Sequence, residues 1–524
     1  MGRVLELLKV SALLLAVGGD VAWARPKGEL WAVLVAGSSS WMNYRHQADV
    51  CHAYQILHQH GVPDDHIIVM MEDDIAYNPE NPDPGVIINR PDGPNVYEGV
   101  PRDYVGSSVT PENFLRVLSG DAEGLRGVGS GKVVRSGPND RIFVNLVDHG
   151  GPGIFAFPRS LLKATDLADA VLAMHRDRKF GEMVLYVEAC ESGSMFSNLL
   201  PDDIGVHIQR HFGHRSRRVG PASRARQPIT VELSRAAAAA IADWLLGARC
   251  WSGSKVPEVF LNMVCLQSNC GSTIYAVSAS SPNQPSYACY MDEHLNTFLG
   301  DVFSIKWMED TDREDIRRES LKKQFQIVRK EVTSSTVMQW GEIRLDRQHL
   351  SQFLGGKKVA SGGRRRQRGN DFCLVGLLSL LSSCGVLCKH GDPSYDVPVA
   401  VLESRIRSSS NPQKTEDLKQ QLEGLRQNRT FVSAVMASLV VHVTDSDLDM
   451  VDKVMHNSHG ITRWSCYSAA LDVFDKGCFR LAENPYALRV LQPIVNLCEH
   501  GYTAEQFARA VQAVCTHDPV RGME

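Results

Sequence analysis

MVLYVEAC (183–190) is a run of apolar and β-branched residues that stops on a cysteine, and Glu-Ser-Gly-Ser follows it. Val, Leu and Tyr in near-unbroken succession suit a strand buried on both faces, as in parallel sheets. The pattern recurs on either side: LWAVLVAG (30–37), HIIVMME (66–72), RIFVNLVDHG (141–150) and TIYAVSAS (273–280) read as further buried strands. Between them, YRHQADVCHAYQILHQHG (44–61) reads as a helix stopped at Gly61, and Thr110-Pro111-Glu112 as a capped helix start. A helical stretch around 166–177 separates two of the strands. Strand and helix in alternation predict an α/β fold, a mostly parallel sheet with helices on both faces.

In such sheets ligands bind beyond the carboxyl ends of the strands. Two strands end there in reactive side chains, one in Asp148 and His149, the other in Cys190. Taken alone, Cys190 reads as an inert core residue, because the nearby Glu188 and Glu191 raise a thiol pKa. A histidine ending an adjacent strand changes that reading, since imidazole accepts the thiol proton or, protonated, holds the thiolate. Strand alternation places Glu188 on the Cys190 face, where it is free to line a substrate pocket. Gly150 and Gly151 let the backbone approach a reacting carbonyl, so an amide there is an oxyanion-hole candidate.

The chain's 524 residues, 43% hydrophobic and 22% charged, suit a globular protein of one or two domains. A net charge of −4 argues against nucleic acid or an acidic membrane as the main partner. Residues 1–24 read as a secretory signal, with Arg3 and Lys9, an apolar 10–17 and Ala22-Trp23-Ala24 as the cleavage site. Disulfides then become available. Thirteen cysteines leave at least one unpaired, and Cys466, Cys478, Cys498 and Cys515 cluster near the end, with three connectivities open. Asn428-Arg-Thr430 is a glycosylation sequon. Residues from about 415 repeat apolar positions at helical spacing, and Thr503 with Gln506 forms a capping-box pattern, so a small all-α domain stapled by cysteines is expected.

Two stretches fit neither pattern. Residues 205–272 hold an Arg/His-rich run and then AAAAAIADWLLGARCW; residues 359–389 join GGRRRQRG to FCLVGLLSLLSSCGVLC. The second, seventeen apolar-rich residues at 372–388, sits at the lower limit for a membrane span. The favoured reading of both is translated non-coding sequence, because Val206 and Val359 need GT-starting codons while Gln267 and Lys389 permit AG endings.

EACESGS, DHGGPG, GSGKVVRSGPND, SWMNYRHQADVCHAYQIL and LGDVFSIKWMEDTD together resemble the legumain family, the asparaginyl endopeptidases among the caspase-like cysteine peptidases. The resemblance covers about 27–204, 273–358 and 392 onward. It implies a caspase-like peptidase domain over 25–342, an activation linker over 343–414 and a C-terminal all-α, disulfide-stapled prodomain over 415–524. It makes Cys190 the nucleophile, His149 the general base, Asn43 the residue orienting that base and Gly150 the oxyanion-hole glycine. Asp148 matches a position that forms a succinimide and takes part in peptide ligation. Arg45, His46, Glu188, Ser286 and Asp301 match the substrate pocket, which suits an asparagine amide carrying both an acceptor and a donor. Glu191 matches a carboxylate that pairs in the zymogen with a prodomain base, here Arg489, and the resemblance pairs Cys466 with Cys498 and Cys478 with Cys515.

The implied function is a lysosomal endopeptidase cleaving after Asn, and after Asp in acid. It is made as an acid-activated zymogen passing through the secretory pathway or secreted as proenzyme, with ligase activity in the same site. Implied partners are protein and peptide substrates, the chain's own prodomain and cystatin-type inhibitors. No metal, cofactor, nucleic acid or stable membrane anchor is expected. Glu342 stands where the family's activating asparagine lies, shifting self-processing to Asp346, Asn370 or Asn411, or to another protease. Pro285-Ser286 replaces a usual pair of serines, and Ser119-Gly120-Asp121 replaces an RGD, so integrin binding is not expected. The competing readings are a GPI-anchor transamidase-like catalytic subunit and an inactive pseudo-peptidase acting through its C-terminal domain.

Overall fold

The computed structural model describes residues 28–197, 199, 272–358, 388 and 391–522. The signal at 1–24, nearly all of both atypical stretches, and Asn370 lie outside the described residues. In chain order the strands are β1 (Leu30–Ala36), β2 (Ile67–Met71), β3 (Tyr104–Val105), β4 (Arg141–Val147), β5 (Gly150–Gly151), β6 (Ile154–Phe157) and β7 (Ser160–Lys163). They continue with β8 (Glu182–Glu188), β9 (Thr273–Ser278), β10 (Tyr287–Asp292), β11 (Thr297–Asp301), β12 (Met338–Gly341) and β13 (Asp392–Pro393).

A seven-stranded sheet runs in the order β12-β9-β8-β4-β1-β2-β3. All its neighbours are parallel except β12 on β9. Its strands are apolar on both faces. Ala32, Leu34 and Ala36 join one core cluster, and Trp31, Val33 and Val35 join the other. That is what a strand covered by helices on both sides requires. The Tyr44–Gln59 and Val302–Arg313 helices cover the first face. The Pro111–Ser119 helix, capped by the Thr110 hydroxyl, and the Ala164–Arg176 helix cover the second. Chain order runs outward from β1 on one side, then resumes at β4 on the other. The switch point therefore lies between β1 and β4, where such sheets place their sites.

Two three-stranded sheets sit at that carboxyl end, β5-β6-β7 and β11-β10-β13. The C-terminal region is helical, with a 32-residue helix, Pro412–Val443, capped by Asn411. Asn428 lies within that helix. Thr503 and Gln506 make the expected capping box. Cys466 is bonded to Cys498 and Cys478 to Cys515, the pairs named above. Among the described residues no helix is long and apolar enough to cross a membrane.

Candidate active site

Strand register brings the reactive residues together. Val147 is level with Glu188 across the β4–β8 ladder, and the Asp148 amide donates to the Glu188 carbonyl at 3.0 Å, so His149 and Cys190 leave adjacent strands at the same height. Asn43, in the turn after β1, accepts a 2.8 Å hydrogen bond from His149 Nε2 through its Oδ1. Its own amide donates to Ser39 O at 2.9 Å, which fixes which end faces the ring. Because Oδ1 only accepts, Nε2 carries the hydrogen and Nδ1 keeps its lone pair.

Cys190 is buried, and its sulfur is in contact with the Ser286 amide at 3.4 Å and the Ser286 hydroxyl at 3.7 Å. No hydrogen bond joins it to His149. Burial and the neighbouring Glu191 push the thiol up, while burial and the Arg45 charge push His149 down. The closed site thus holds a neutral thiol and a neutral imidazole rather than the ion pair. Gly150 is obligatory, since a Cβ there would collide with the Cys190 carbonyl oxygen. Ala156 N–H donates to His149 O at 3.0 Å, making Gly150 and Phe155 a non-hydrogen-bonded pair. The Gly150 amide is therefore not spent in that ladder.

Beyond the cysteine the chain turns sharply through Glu191, at φ 50°. Ser194, not anticipated from sequence, braces this turn. Its hydroxyl bonds Glu191 O at 2.6 Å and accepts from Gly153 N at 2.7 Å.

The expected pocket residues do converge, and all are buried. Arg45 donates from Nε to Asp301 Oδ1 at 3.0 Å, and His46 lies 3.3 Å from Asp148 and 3.6 Å from Asp301 Oδ2. Ser304, at the start of the Val302–Arg313 helix, holds Glu188 Oε2 through its amide (2.8 Å) and hydroxyl (3.1 Å). Asp49 accepts the Asp301 amide at 3.1 Å. These anchors leave Glu188 Oε1 and Asp301 Oδ2 buried without a hydrogen-bond partner. Burial pushes both carboxyls up, the Asp301 charge adds to this at Glu188, and Arg45 opposes it at both. Ser304 and Asp49 carry no sequence signal of their own, because only the fold brings them to the pocket.

The site is covered. β13 pairs with β10, the Ser394 amide donates to Ser286 O at 2.9 Å, and the Ser394 hydroxyl accepts from Arg45 Nη2 at 2.7 Å. Behind this segment the helical region packs on the β5–β6 hairpin. Ile154 and Ala156 join its core, and Tyr467 donates to Pro152 O at 2.6 Å. Gly153, at φ 65°, faces Trp464 and Ile461, which a Cβ would meet at 2.7 and 2.8 Å. Lys163 bonds Asp472 at 2.7 Å, and Arg405 bonds Glu80 at 2.7 Å. A cleft of about 260 Å³ remains beside His149, lined also by Asn43, Asp148 and Glu483.

The Arg489 guanidinium lies over the Tyr395 ring at 4.4 Å, and its charge lowers the Glu191 carboxyl, as the expected pairing does, without a close contact between the two. Burial pushes Glu191 from 4.5 up to about 8, and Arg489 offsets only part of that. Arg489 lowers this carboxyl as expected, but desolvation is the larger effect and leaves it raised. Asp346 is buried, and Asn411 caps a helix ahead of Pro412, so neither is a ready cleavage site as it stands. His46, Asp148 and His149 bring ligand-capable atoms within 4.8 Å of one another, though a metal there would compete for the His149 lone pair.

The Peptidase C13 family model matches residues 30–209 and 249–357, and the model described as Legumain, prodomain matches 420–515. Legumain of Bos taurus is 38% identical over 93% of each chain, and that of Homo sapiens 36% over 93% of each. The vacuolar-processing enzyme delta-isozyme of Arabidopsis thaliana is 31% identical, covering 94% of this chain and 91% of its own. Together with the parallel sheet and the cysteine and histidine at its carboxyl edge, these matches show that the chain belongs to the Peptidase C13 family, as a cysteine-type endopeptidase with a legumain prodomain.

Proposed function

We propose that this peptidase cleaves after asparagine, is held closed by its prodomain and linker, and opens in the acid of a lysosome-like compartment. The observation that carries the specificity is the pair of buried carboxylate oxygens without a hydrogen-bond donor, Glu188 Oε1 and Asp301 Oδ2, on carboxylates gathered around Arg45 and His46. An asparagine amide presents two N–H donors to such acceptors and a carbonyl to the Arg45 donor that Ser394 engages in the closed form. As pH falls, each added proton turns an acceptor into a donor. Aspartate then fits where ionised carboxylates had repelled it.

In the reaction, His149 Nδ1 takes the Cys190 proton and the thiolate attacks the carbonyl carbon after asparagine. The Gly150 amide faces the resulting oxyanion, and the imidazolium returns its proton to the leaving amine. Water then hydrolyses the thioester. A peptide amine arriving instead gives ligation, with Asp148 next to the base. His149 contributes to acid opening by its sign: it is held below its ordinary 6.5 while covered, so its part of the closed form's stability is lost as pH drops below about 6.5, with the raised Glu191 carboxyl acting the other way.

Acid-treated protein assayed on matched Asn, Asp and Lys peptides tests this. Asn should be cleaved throughout, Asp increasingly in acid and Lys not at all; equal cleavage of Lys would reject the pocket assignment.

A further inference from the structure

Among the described residues one disulfide reaches outside the helical region, joining Cys289 of β10 to Cys388 in the linker. Cys388 lies outside both family matches, between residues 357 and 420. Cys289 stands three residues after Ser286, which touches the nucleophile sulfur. Cys388 stands six residues before Ser394, which engages Arg45. Between these ends β13 pairs with β10, Ala288 against Asp392 and Tyr287 against Pro393. The disulfide therefore closes a short covalent clip around the strand that covers the pocket.

We propose that Cys289–Cys388 is a redox lock on the closed site, so that opening takes a thiol as well as acid; this rests on the reading that the prodomain and linker enforce latency. Chain cleavage does not release the lock. A cut anywhere between Glu342 and Cys388 leaves the two pieces bonded. A cut beyond Ser394 frees the helices but leaves Ser394 tethered to the pocket edge. A segment held this way faces its site at an effective concentration of about millimolar, so it rebinds faster than it is lost.

Both sulfurs are buried, at 2% and 3% exposure, within the peptidase core rather than under the helices, so the linker strand must lift off β10 before a thiol can reach them. A small-molecule thiol such as cysteine then attacks Cys388 Sγ as its thiolate, and the Cys289 thiolate leaves and takes up a proton. A second thiol attacks the mixed disulfide, releasing the Cys388 thiol and one molecule of oxidised reductant, two electrons in all. Neither acid nor thiol suffices alone.

The test uses the full-length protein with Cys388→Ser and Cys289→Ser variants. Non-reducing peptide mapping should recover a Cys289–Cys388 cross-linked peptide from the wild type. After cleavage confined to the stretch between Glu342 and Cys388, the two parts should co-migrate on a non-reducing gel and separate on a reducing one. In acid without thiol, wild-type Cys190 should react with an asparagine-based probe at least ~10-fold more slowly than with thiol, while both variants should react at similar rates with or without it. Parts that separate without reductant, or an equal thiol effect in all three proteins, would overturn the proposal. The gel does not depend on asparagine specificity, so it fails separately from the function assigned above.

Discussion

Glu191→Gln in the latent protein gives the sharpest test of how the site is kept closed. Covering raises the Glu191 carboxyl from 4.5 to about 8. The closed form therefore binds more protons than the open one, and Glu191 favours closing in acid and opposes it as pH climbs. At about pH 7 the open form has lost a proton that the closed form must keep, a penalty of about 3 kcal/mol at most. A glutamine carries no such cost. The variant should thus close up to ~100-fold more tightly at neutral pH and change little near pH 4. Amide hydrogen exchange across Gly150–Phe157, where the prodomain packs, reads the closed fraction without needing activity. Arg489→Ala should do the opposite near neutrality, because it removes the one charge that offsets the buried carboxylate. With Glu191→Gln in place the arginine should matter little beyond its contact with Tyr395. Faster exchange in Glu191→Gln at neutral pH would mean an attractive pair and would refute the argument from burial.

Ser304→Ala removes one of two bonds holding Glu188 Oε2, so kcat/KM for Asn peptides should fall about fivefold and less for Asp peptides in acid; peptide kinetics across pH check this. Asn43→Ala frees the His149 ring, and kcat should fall about tenfold to hundredfold with KM little changed. Gly153→Ala pushes against Trp464 and strains a left-handed backbone, so the prodomain should let go at higher pH than in the wild type, read by the same exchange experiment. Cover through His149 loses stability below about pH 6.5, so opening that grew stronger as pH rose through this range would contradict its sign.

The sheet was legible because β1, β4 and β8 are apolar on both faces, and the site because β4 and β8 run out into Asp148-His149 and Cys190. Register then did the rest, since parallel strands of equal length bring His149 and Cys190 to one edge. Asn43 and Arg45 lie far in the chain from Asp301 and from Cys190, and all three entered only through resemblance to a known family. Ser194, Ser304, Asp49 and Ser394 were not legible at all. A serine or a lone aspartate has no pattern until the fold decides what its hydroxyl or carboxylate touches. For Glu191 and Arg489 the sequence supplies two charges but not the burial that outweighs their attraction. In DHGGPG the glycines read only as room for a reacting carbonyl, whereas they also form the β5–β6 hairpin on which the helical region packs.

The central claim is that Cys190 is the nucleophile and His149 its base. Acid- and thiol-treated protein should bond one asparagine-based thiol-reactive probe per chain, found by mass spectrometry on Cys190, and His149→Ala should slow that bonding by at least ~100-fold. Label on another cysteine, or full-rate labelling of Cys190 without the histidine, would contradict it.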